Sequence, residues 1–100
     1  MYVTAPNLIV ARQIAIAALD AKAAACANLV QGESLYEWEG RRVQESEVFL
    51  LLKTTRETAP RLMEVVRAAH PHEVPCIEVI PVLDALAPYA AWVARATTPS

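Results

Sequence analysis

The sequence predicts an α/β (α+β) domain of ferredoxin-like, split βαβ type, and three observations carry that reading. Apolar residues recur at helical spacing in two separate stretches. Between and around them lie segments with strand character, either alternating or β-branched. The resulting order is β-α-β-β-α-β with a terminal helix, which places one antiparallel sheet under two helices on a single face. At 100 residues the chain amounts to one domain, residues 1–100.

Tyr2-Val3-Thr4-Ala5 forms a short first strand closed by Pro6. Asn7 is a good N-cap, and Val10, Ile14, Ala17, Ala18 and Ala21 share one face of a helix ending near residues 23–25. Residues 26–31 read as a strand broken at Gly32. Ser34 to Glu39 then alternates strictly, with Ser34, Tyr36 and Trp38 facing one way. Gly40 makes a turn, and the following strand, Val43 to Thr54, holds a Val48–Leu52 run that is apolar on both faces. One face belongs to the helices; the other fits a neighbouring subunit.

Thr54-Thr55-Arg56-Glu57 matches a capping box, so a second helix is expected from about Thr54. Its buried face is Leu62, Val65, Val66 and Ala69, and His70-Pro71 stops it. A strand from Cys76 to Val82 follows, with Pro81 suiting an edge. Pro88 opens a last helix with Tyr89, Trp92 and Val93 on one face, and residues 97–100 are expected to fray.

Composition points to association. With 55% hydrophobic residues and a mean hydropathy of +0.27, the chain carries more apolar surface than so small a monomer hides. The nine basic residues are scattered against eleven acidic ones, so no basic stripe for nucleic acid forms. Residues 8–26 are interrupted by Asp20 and Lys22, which excludes a signal peptide or a membrane span. A cytoplasmic protein with reduced Cys26 and Cys76 is the expectation.

Five ordered blocks then resemble one family: Val3-Thr4-Ala5-Pro6, Ala24-Ala25-Cys26-Ala27-Asn28, Ser34 to Gly40, Lys53-Thr54-Thr55-Arg56, and His70-Pro71-His72-Glu73-Val74-Pro75. Together with Tyr89 and Trp92 they look like the CutA divalent-cation tolerance proteins. The resemblance implies a compact homotrimer, similar in architecture to the PII signalling proteins, connected with tolerance of copper and other divalent metals. Two departures stand out. The first strand is several residues shorter than usual. Val3 occupies a place where some members have a proposed cysteine ligand, while Cys76 replaces a usual acidic residue.

His70, His72, Glu73 and Cys76 offer two imidazoles, a carboxylate and a thiol, all competent ligands for copper or another divalent metal. A closed site of this kind needs donors from elsewhere, such as a second subunit. The competing reading makes His70 a helix terminator and Cys76 a small buried hydrophobe. Cys26 has no neighbour to activate it and reads as structural. Tyr36 and Trp38 read as interface residues, with stacking on a planar ligand as the alternative. Glu33, Glu37, Glu39, Glu45 and Glu47 read as solvated charges on the hairpin. Two glycines preclude a phosphate loop, no serine sits in a nucleophile elbow, and no pocket is indicated for acid–base carboxylates. An enzyme is not expected.

Overall fold

A computed structural model describes residues 1–99. Strand β1 (Tyr2–Ala5) leads into helix α1 (Leu8–Asp20), then strands β2 (Cys26–Trp38) and β3 (Arg41–Lys53), helix α2 (Ala59–Ala69), a two-residue strand β4 (Ile77–Glu78) and helix α3 (Ala87–Ala96). The antiparallel sheet has the order β2-β3-β1-β4, the split βαβ arrangement expected.

Period-two alternation sorts the sheet into two faces. Val3 and Ala5 of β1 and Val48, Leu50 and Leu52 of β3 point into the helix layer. There they meet Ala11, Ile14, Ala15 and Ala18 of α1 and Leu62 and Val66 of α2. Of the face expected for α1, Ile14 and Ala18 are buried, whereas Val10, Ala17 and Ala21 are less so and Ala11 and Ala15 complete the buried stripe. The opposite face carries Tyr2, Thr4, Val30, Tyr36, Trp38, Phe49 and Leu51 and is open in the single chain. Val30 and Leu51 keep 53% and 41% of their surface exposed, so the second cover expected over β3 is not supplied by this chain.

Four element boundaries differ from the sequence expectation, each for a local reason. Helix α1 stops at Asp20 because Lys22 adopts φ 52°, the left-handed position of a Schellman cap. The Ala23 and Lys22 amides close back on the carbonyls of Ala18 and Leu19, and the Arg61 guanidinium donates to the carbonyls of Ala21 and Lys22. Helix α2 starts at Ala59, not Thr54. Thr54 Oγ1 donates to Ala23 O at 2.7 Å, and Thr55 Oγ1 accepts from the Thr58 amide, so both hydroxyls hold the preceding turn. Pro60 then sits in the first helical turn.

Gly32 does not break β2, which runs unbroken through 13 residues. Strand β4 is shorter than expected. Met1 turns both its amine and its carbonyl towards Leu52 of β3, and the pairing of β4 with β1 is confined to Ile77 and Glu78. Residues 79–86 are consequently exposed, with Val79, Ile80, Val82, Leu83 and Leu86 open to solvent.

The β2–β3 hairpin overhangs the rest of the sheet, since β1 pairs only with Val48–Leu51. This gives the molecule its 45 Å long axis. Among the described residues, no helix is long and apolar enough to cross a membrane.

Candidate functional site

His70 ends α2 with extended backbone, and its ring is buried against β1. Its Nε2 donates to Thr4 O at 2.7 Å, since a carbonyl only accepts. Its Nδ1 accepts from the His72 amide at 3.1 Å. Both ring nitrogens are therefore committed, which fixes the neutral Nε2–H tautomer and ties the start of the 70–76 loop to β1. The helix-terminating role is seen directly; the ring has no lone pair to spare for a metal in this arrangement.

His72, Glu73 and Cys76 do face a common space, together with Thr4, Pro71 and Val74. Across it stand Ser34, Tyr36, Trp38, Glu45 and Glu47 from the overhanging hairpin, on the open face of the sheet. The cleft between them measures about 730 Å³. It unites the loop residues with the aromatic pair, to which the sequence assigns separate roles. It does not bring three His, Cys, Asp or Glu side chains to one point: among the described residues no such group could hold a metal ion.

The electrostatics of the cleft are negative. The Tyr36 hydroxyl donates to Glu45 Oε1 at 2.6 Å, and this bond pushes the Tyr36 phenol up from its usual value. Cys76 Sγ lies 3.7 Å from Glu78 Oε1. Partial burial, then the Glu78 carboxylate, raises the Cys76 thiol above its ordinary value, so it is held protonated rather than activated. Cys26 is half-buried at the start of the edge strand β2, on the open face, rather than in the core.

Glu47 is the residue that sequence reasoning misplaces. Read with its neighbours it belongs to the solvated hairpin charges, yet only 8% of it is exposed. Strand phase contains the signal: Glu47, Phe49 and Leu51 share the open face, and Gly32 stands opposite Glu47. Gly32 has no side chain, and the Phe49 ring covers it on that face.

Comparison with known proteins agrees with this architecture. A family model described as "CutA1 divalent ion tolerance protein" matches residues 1–96. The chain belongs to this family. The divalent-cation tolerance protein CutA of Thermus thermophilus is 41% identical over 96 residues, covering 95% of this chain and 93% of that one. Protein CutA of Mus musculus is 42% identical over 97 residues, and the chain spans about half the length of the mammalian relatives (55% of the mouse protein). Among solved structures, the CutA from Archaeoglobus fulgidus, described as periplasmic, superposes with a TM-score of 0.94 at 33% identity, covering 97% of this chain and 95% of that one. The CutA1 structure from Thermus thermophilus gives 0.92 at 39% identity, with the same coverage. The family takes its description from ion tolerance and not from an enzyme class.

Proposed function

We propose that this chain, residues 1–100 acting as one domain, serves in divalent-metal tolerance as a cytoplasmic homotrimer that binds copper or a related ion weakly. The observation that carries the reading is the cleft where His72, Glu73 and Cys76 face the hairpin aromatics, in a member of a family named for divalent ions. Imidazole, carboxylate and thiol are donors suited to copper and zinc. His70 acts in this reading as the residue that positions the loop, having both nitrogens bonded. Because one chain's donors do not converge, a full coordination shell draws on a second subunit. The exposed Val30, Tyr36, Trp38 and Leu51 supply the apolar surface for that association.

Calorimetric titration of Cu(II), Cu(I) and Zn(II) tests the reading, with His72→Ala and Cys76→Ser beside wild type. Weakened binding in both variants supports it. Equal binding by all three proteins removes the loop from the site.

The volume of the cleft supports a second reading, a PII-like signalling trimer that takes a small molecule or partner between subunits. Thermal stabilisation by nucleotides in the absence of metals favours it, since a ligand that binds only the folded state stabilises it by an amount that grows with the logarithm of its concentration over Kd.

A further inference from the structure

We draw no further inference here: the strongest candidate, the exposed apolar surface patch of Ile9, Ile16 and Leu19 on the solvent side of helix α1, carries nothing because nothing in the structure shows what covers it.

Discussion

The ring of Phe49 lies directly over Gly32: a Cβ placed on Gly32 falls 2.3 Å from Phe49 Cε2 and 2.9 Å from Cζ. The glycine thus makes room for a ring rather than for a turn. Gly32→Ala is expected to cost about 1–3 kcal/mol through overpacking. In a Phe49→Leu background the same change should cost less, and this non-additivity is what a double-mutant cycle by urea denaturation measures. Full additivity would show that the two residues do not meet.

Removing the His70 ring leaves Thr4 O and the His72 amide without partners. His70→Ala should destabilise the protein by about 2–3 kcal/mol, the range for losing two partly buried hydrogen bonds. Hydrogen exchange adds the specific signature. The His72 amide should lose protection before the helix α2 amides do, because only the loop tether has been cut.

At the hairpin tip, Glu39 and Gly40 have φ of 51° and 78°, the left-handed pair of a type I′ turn. Glutamate is a poor occupant of that first position and asparagine a good one. Glu39→Asn is expected to stabilise by about 0.5–1 kcal/mol. Gly40→Ala, forced to the same φ, should destabilise by about 1 kcal/mol or more. Thermal melts of the two variants should move in opposite directions.

Cys76 gives the protein a pH dependence of known sign. Its folded-state pKa is raised, so the unfolded chain gives up the thiol proton first as pH increases. The associated stability is complete below the ordinary thiol range, about pH 8.5. It declines as pH rises through the folded value. Cys76→Ser should flatten that alkaline slope. Iodoacetamide should alkylate Cys76 more slowly than a free thiol at about pH 8, and Glu78→Gln should quicken the reaction by lifting part of the negative field.

The sequence announced the fold through apolar spacing together with caps and prolines. Asn7 caps α1 as its residue type suggests, its Oδ1 accepting from the Val10 amide at 2.9 Å. Pro60 and Pro88 lie in first helical turns, and the element order matches. The misread boundaries share one physical source, long-range contacts that override local preference. Thr54 and Thr55 look like a capping box until the Ala23 carbonyl claims the first hydroxyl. Strand β4 looks longer in the sequence than the two residues that pair with β1. At the cleft, residue types were legible but proximity was not. Nothing in the order of residues says that a loop at 71–76 and a hairpin at 34–47 share a wall. Nor does it say that both nitrogens of His70 are already taken.

The overhang of the hairpin also bears on how the chain assembles. Its ladder joins residues that are near neighbours along the chain, whereas β1 has to reach β3 from beyond the whole of α1 and β2. Ring closure costs least for the shortest loops. The hairpin is therefore the natural seed of the structure, and β1 docks late onto a template already in place. A slow folding phase should then respond to changes in β1 and leave the hairpin tip indifferent.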